Sequence, residues 1–82
     1  MYTAEERKDY NKQIDDSLEK VRRALTVLAK KNLNPDQQNI INTISTFVKQ
    51  TEQAREGQDL TTGVSLAKRA EVLAEDLLGR FQ

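Results

Sequence analysis

Residues 37–48 read QQNIINTISTFV, and none of these side chains is charged, although 32% of the whole chain is Asp, Glu, Lys or Arg. The stretch is rich in Asn, Thr, Ser and β-branched residues, which favour helices weakly because they lose rotamer freedom or compete for the backbone. Its apolar residues nevertheless recur at helical spacing, at Ile40, Ile41, Ile44, Phe47 and Val48. Tertiary contacts must therefore hold this helix, and we expect it to be the central element of the fold.

Start and stop residues around this stretch predict a helix over residues 35–56. Asn34 is a favourable N-cap residue, and Pro35 suits the first helical position because its missing N–H would be unpaired there anyway. The apolar face spans roughly 140° of the helical wheel, which is wide enough to contact two neighbouring helices. Gly57 follows and is expected to adopt the left-handed conformation that closes a helix.

A first helix is predicted over residues 4–31. Thr3 and Glu6 fit a capping box at its start, while Lys30 and Lys31 suit the negative end of the helix dipole. Its apolar residues form a narrow seam at Tyr10, Ile14, Leu18, Val21, Leu25 and Leu28. Such a helix is about 42 Å long and about two turns longer than the other helices.

A third helix is predicted over residues 60–78, with Asp59 as its N-cap and Gly79 as its end. Thr61 and Thr62 are alternative N-caps. The middle of its apolar face consists of alanines, at Ala67, Ala70 and Ala74. Small residues along the centre let a helix approach its neighbours closely, while larger residues fill the flanks. Residues 80–82 are expected to form a short tail.

Together these helices predict one all-α domain over residues 1–82. Short connections make consecutive helices antiparallel. The expected fold is therefore a three-helix antiparallel up-down-up bundle with a long first helix.

The composition excludes several kinds of chemistry. The chain has no His and no Cys, which removes zinc clusters, Cys–His and Ser–His pairs and thiol chemistry. Carboxylates cluster on two helices, at Asp15, Asp16, Glu19, Glu71, Glu75 and Asp76. A solvated face explains these clusters, and a domain this small has little room for the pocket that an enzyme needs. We therefore expect no enzymatic activity, no catalytic or metal-binding residue, no cofactor and no small-molecule substrate.

Nucleic-acid binding is not favoured either. Thirteen basic and thirteen acidic residues give a formal net charge of zero. The basic residues occur in pairs, at Arg7–Lys8, Arg22–Arg23, Lys30–Lys31 and Lys68–Arg69. A nucleic-acid footprint needs such residues on one face with few acids between them, and here acids are interspersed.

The polar side of the uncharged helix has two interpretations. The residues concerned are Asn39, Asn42, Thr46 and Gln53. Interface cores are depleted in charge, so this side is a possible protein interface. The simpler interpretation is that the apolar side belongs to the core and the polar side faces water.

The second and third helices carry one resemblance to known proteins. Residues 52–60 read EQAREGQDL and are followed by LAKRA at 66–70 and LAEDL at 73–77. The pattern resembles the helical hairpins of tetratricopeptide-type repeats. It is also similar to small, uncharacterised helical segments of bacterial cell-envelope proteins. The resemblance implies a helical interaction or accessory module of a larger bacterial protein, and it carries over no site residue.

These observations predict a non-enzymatic structural or protein-interaction helical module. The alternative is a self-associating oligomerisation domain, in which the first helix and the uncharged face of the second make the contact. No apolar run is long enough to span a bilayer, and the N-terminal residues do not form a signal peptide. The chain is expected to be soluble. Its compartment stays open, with envelope association if it is excised from a larger exported protein.

Overall fold

The computed structural model describes residues 1–81, and within them it contains three α-helices and no β-strand. The helices are α1 (Ala4–Leu28), α2 (Pro35–Glu56) and α3 (Leu60–Gly79). This architecture confirms the predicted all-α three-helix fold with the longest helix first. The α2 bounds are as predicted, whereas α3 ends one residue later, at Gly79. Gln82, in the predicted tail, lies outside the described residues.

The first helix is shorter than predicted. It ends at Leu28, and the predicted end at Lys31 was wrong because the chain continues as a tighter turn. In that turn Lys30 N donates to Val27 O at 3.1 Å, and Lys31 N donates to Leu28 O at 3.0 Å. With 25 residues against 22 and 20, α1 exceeds the other helices by about one turn rather than two.

Of the three predicted N-caps, those of α1 and α2 are confirmed by side-chain hydrogen bonds, whereas Asp59 stands at the N-cap of α3 without one. Glu6 N donates to Thr3 Oγ1 at 3.0 Å while Thr3 N donates to Glu6 Oε1 at 2.8 Å, which completes the capping box of α1. Asn34 caps α2 with a second capping box, in which Gln37 N donates to Asn34 Oδ1 at 2.8 Å. Local side-chain chemistry therefore fixes where both helices begin.

The C-terminus of α2 corrects one expectation. Gly57 has φ −79°, so it is not in the left-handed region, which is occupied instead by Gln58 at φ 62°. Asp59 N donates to Ala54 O at 2.8 Å and Gln58 N donates to Arg55 O at 3.0 Å. These two bonds define a Schellman motif whose left-handed position is one residue beyond the glycine.

The central helix is α3, and the expectation that residues 37–48 would be central was wrong. Both α1 and α2 pack along α3, whereas α1 and α2 approach each other closely at few positions. The cause is the stripe of small residues on α3, since Ala67, Ala70 and Ala74 are all fully buried. Small side chains let both neighbours approach the α3 backbone, while larger core residues hold α1 and α2 apart.

The core has two parts along the length of the molecule. The larger cluster combines residues of all three helices: Val21, Ala24, Ile44, Ala70 and Ala74. A second cluster of Ile14, Leu60 and Ala67 joins the N-terminal halves of α1 and α3, which therefore run in the same direction. The helices approach closely at Gly63, where an added Cβ would lie 2.9 Å from Ile14 Cδ1.

Tyr2, which is remote from α3 in sequence, caps the N-terminus of this central helix. Thr61 N donates to Tyr2 Oη at 3.2 Å, and the Tyr2 and Thr61 hydroxyl oxygens are 3.3 Å apart. The Asp59 side chain makes no cap hydrogen bond at this end. The Tyr2 ring packs edge to face on Tyr10, with ring centroids 5.4 Å apart. The N-terminal residues thus satisfy one of the unpaired amides at the start of α3.

Candidate interaction surface

The polar residues singled out from the sequence all lie on the exposed side of α2: Asn39, Asn42, Thr46 and Gln53. Thr46 Oγ1 donates to Asn42 O at 3.0 Å, and Gln38 Nε2 donates to Asn42 Oδ1 at 3.4 Å. Part of their hydrogen-bonding capacity is thus satisfied within the helix. An interface on this side stays a prediction.

A different feature stands out where α2 packs on α3. It is an open groove of about 480 Å³, lined by Phe47, Ser65, Lys68, Arg69, Val72 and Leu73. Phe47 and Leu73 are half-buried and extend the core outward to the surface, while Val72 is 65% exposed. Apolar atoms therefore continue from the interior to an exposed apolar side chain. We call these six residues the α2/α3 groove.

The periodicity of α3 explains why Val72 faces outward. The buried positions of α3 on either side of it include Ala70 and Ala74, and each residue turns the helix by 100°. Val72 therefore points away from the core, towards the side that carries Lys68 and Arg69. Its position off the apolar stripe can be read from the sequence. The sequence could not show that Phe47 of α2 lies beside Val72, because only the packing of α2 on α3 brings these two side chains together.

The rim of the groove is basic. Lys68 Nζ lies 3.8 Å from Glu71 Oε1, and no described acidic group lies within ion-pairing distance of Arg69. Ser65 and Lys68 both line the groove, but a serine nucleophile needs a neutral base within hydrogen-bonding reach. The Lys68 ammonium is directed at Glu71 instead. The arrangement suits binding of a partly apolar, acidic surface better than it suits proton transfer.

The most enclosed carboxylate is Glu71, whose side chain is 12% exposed. Burial raises the pKa of Glu71, but the Ser17 hydroxyl and the ammonium groups of Lys68 and Lys20 outweigh it, so the pKa lies below its ordinary value. Lys20 Nζ is 3.5 Å from Glu71 Oε2, which links α1 to α3. The Ser17 hydroxyl acts on the carboxylate without a well-aligned hydrogen bond, since Ser17 Oγ and Glu71 Oε1, like Arg55 Nε, are buried with no partner of good geometry among residues 1–81. An ionised carboxylate between two cations stabilises the packing of helices and is a poor proton donor.

A second polar contact joins α1 to α2, beside the other end of the core. Arg55 Nη1 donates to Asp15 Oδ1 at 2.8 Å, and the Arg55 side chain is 26% exposed. Asp15, which belongs to the acidic cluster noted in the sequence, therefore makes a largely exposed ion pair between α1 and α2. No group of three or more residues suited to binding a metal ion occurs among residues 1–81.

Comparison with protein-family models, curated proteins and solved structures gives no match for this chain. The resemblance of α2 and α3 to tetratricopeptide-type hairpins and to envelope-protein segments therefore stays a prediction. Among the described residues, no helix is both long and apolar enough to cross a membrane.

Proposed function

We propose that this chain is a non-enzymatic protein-interaction module that binds its partner at the α2/α3 groove. The observation that carries the proposal is Val72, which is 65% exposed beside the half-buried Phe47 and Leu73. A single exposed apolar residue is ordinary on a protein surface, but Val72 adjoins an open groove whose lining includes two half-buried apolar side chains, which gives an apolar partner side chain a place to pack. The same function is what the resemblance of α2 and α3 to tetratricopeptide-type hairpins implies.

The groove is better suited to a partner than the polar side of α2. Interfaces centre on apolar anchors in pockets and carry a polar rim, and Arg is enriched in them. The groove combines an apolar floor with Arg69 and Lys68 at its rim, while the side of α2 at Asn42 and Thr46 offers no apolar anchor. Helix-in-groove binding, in which an amphipathic helix places its apolar face in the groove, is the mode that this geometry fits.

Photo-crosslinking in cells that make the protein natively tests the proposal. A benzoyl-phenylalanine replaces Val72 in one variant and Thr46 in a matched variant, since both positions are exposed surfaces of long helices. Irradiation is expected to give a discrete adduct from position 72 and none from position 46. An adduct only from position 46 would transfer the interface to the polar side of α2. The absence of adducts from both positions would refute an interaction module.

Nucleic-acid binding is the weaker alternative, and self-association is a special case of the proposed function. Acids lie among the basic residues on α3, since Glu71 Oε1 lies 3.8 Å from Lys68 Nζ within the same helix. Salt-sensitive retention on heparin would support a nucleic-acid partner, because phosphate contacts weaken steeply with ionic strength. Flow-through at low salt is the expected result.

A further inference from the structure

The outer face of α3 carries a charge pattern that reverses its sign about Val72. The residues three and four positions before it are Arg69 and Lys68, and those three and four positions after it are Glu75 and Asp76. Small residues, Ser65 and Gly79, lie seven positions away on either side. Such a face is complementary to the same face of a second copy whose helix runs in the opposite direction. The exception is Gly79, where the helix ends.

These side chains are available for intermolecular contacts. Lys68, Arg69, Val72, Glu75 and Asp76 are all exposed. Neither Arg69 nor Glu75 has an ion-pair partner among residues 1–81. Two of these side chains already have a partner within the chain. Lys68 Nζ lies 3.8 Å from Glu71 Oε1, but this contact is long and the Lys68 side chain is 56% exposed. Asp76 accepts from Arg80 Nη2 at 2.9 Å, but that pair is itself exposed and leaves the other carboxylate oxygen of Asp76 unused.

We propose that the outer face of α3 binds the same face of a second copy of this chain, in an antiparallel, two-fold symmetric pair centred on Val72. Residues seven apart lie on the same flank of a helix, so Arg69 and Asp76 share one flank and Lys68 and Glu75 share the other. A two-fold axis perpendicular to the plane that contains both helix axes places each flank opposite the same flank of the second copy. Arg69 then lies opposite Asp76 of the second copy, and Lys68 lies opposite Glu75 of the second copy.

Symmetry repeats each contact, so the pair contains four ion pairs around a central contact between the two Val72 side chains. Parallel pairing in register would place like charges together, which disfavours it. The Arg69 flank adjoins the groove, so the second copy covers Phe47 and Leu73 as well. Ser65 and Gly79 place no bulky side chain between the helix axes, which allows the close spacing of packed helices.

This inference rests on the proposed function and specifies its partner as a second copy. Two helices of 20 residues make a small interface, so the dimer is expected to be weak, with a dissociation constant in the micromolar range or above. Because its charged pairs are exposed, raising the salt concentration should weaken it further.

Charge exchange tests the pairing by sedimentation equilibrium at protein concentrations up to about 1 mM. Arg69→Glu and Asp76→Lys each replace two attractive contacts with repulsive ones, so each variant alone should dimerise at least about tenfold more weakly than the natural chain. A one-to-one mixture of the two variants restores attraction at both contacts and should form heterodimers. The control variants Lys49→Glu and Glu56→Lys make the same charge changes on exposed residues of α2 and should dimerise normally.

A natural chain that stays monomeric up to the highest concentration would overturn the inference. So would a dimer that responds equally to the α3 and α2 variants, or a mixture that fails to recover association. The photo-crosslink at position 72 separates this inference from the proposed function. An adduct with twice the mass of the chain supports both, whereas an adduct with a different protein refutes the homodimer and leaves the interaction module intact.

Discussion

Replacing Gln58 with glycine should stabilise the domain. Gln58 has φ 62°, where a side chain with a Cβ costs roughly 1–2 kcal/mol relative to glycine. Glycine also raises the conformational entropy of the unfolded chain, which offsets roughly 0.4–1 kcal/mol of that gain. The expected increase in the free energy of unfolding is therefore about 1 kcal/mol. For a domain of this size the thermal midpoint should rise by roughly 4–8 °C, measured by circular dichroism at 222 nm.

Gly57→Ala is the matched control for this prediction. Gly57 has φ −79°, and an added Cβ would meet Gln53 O at 3.5 Å and Ala54 O at 3.7 Å, which are ordinary contacts. The variant should therefore fold with unchanged or slightly higher stability, because alanine narrows the unfolded ensemble. If Gly57→Ala instead lost 1 kcal/mol or more and Gln58→Gly gained nothing, the left-handed residue would be Gly57, and the assignment of the Schellman motif would be refuted.

Four further variants test other parts of the structure. Ile44→Asp places an unpaired charge at a fully buried position, so it should abolish the cooperative thermal transition, since domains of this size have only roughly 3–5 kcal/mol of net stability. Asn42→Ala, exposed on the same helix, should melt normally. Tyr2→Phe removes the oxygen that accepts from Thr61 N–H and should lower the free energy of unfolding in urea by about 1 kcal/mol. The folded-state pKa of Glu71 is lowered, because the effect of burial is outweighed by a neighbouring hydroxyl and two ammonium groups. Ionised Glu71 therefore contributes stability above the unfolded pKa of about 4.3, and this contribution is lost on acidification. Glu71→Gln should therefore reduce the fall in thermal midpoint below about pH 4, and an unchanged acid profile would contradict this role.

The ends of the helices could be predicted to the extent that local chemistry sets them. Thr3 and Asn34 are cap residues whose partners lie three positions along the chain, so sequence spacing alone identifies them. The end of α2 was harder, because the Schellman motif needs a left-handed residue and the presence of Gly57 did not make it that residue. The distant cap from Tyr2 to α3 could not be predicted at all, since no local spacing connects Tyr2 with Thr61.

The position of each helix in the bundle depends on how closely pairs of helices pack, which the width of one apolar face does not determine. The wide face of residues 37–48 suggested a central helix because it could contact two partners. Width measures how much of a helix is covered, whereas closeness of approach depends on side-chain size. The alanine stripe on α3, with Ala70 and Ala74 fully buried, therefore made α3 the helix that both neighbours share. Ile44 is still fully buried, so the uncharged stretch of α2 does contribute to the core.

The α2/α3 groove follows from that same packing. A periodicity count treats one helix at a time. It shows Val72 only as an apolar residue outside the apolar stripe of α3, and Phe47 only as part of the apolar stripe of α2. The groove exists because α2 lies close to α3, which brings Phe47 beside Leu73 and Val72. The absence of charge in residues 37–48 does not predict the groove, because composition does not say which side chains of different helices lie in contact. The alanine stripe that makes α3 the central helix thus also creates the groove. The groove could be predicted only once the central position of α3 was known.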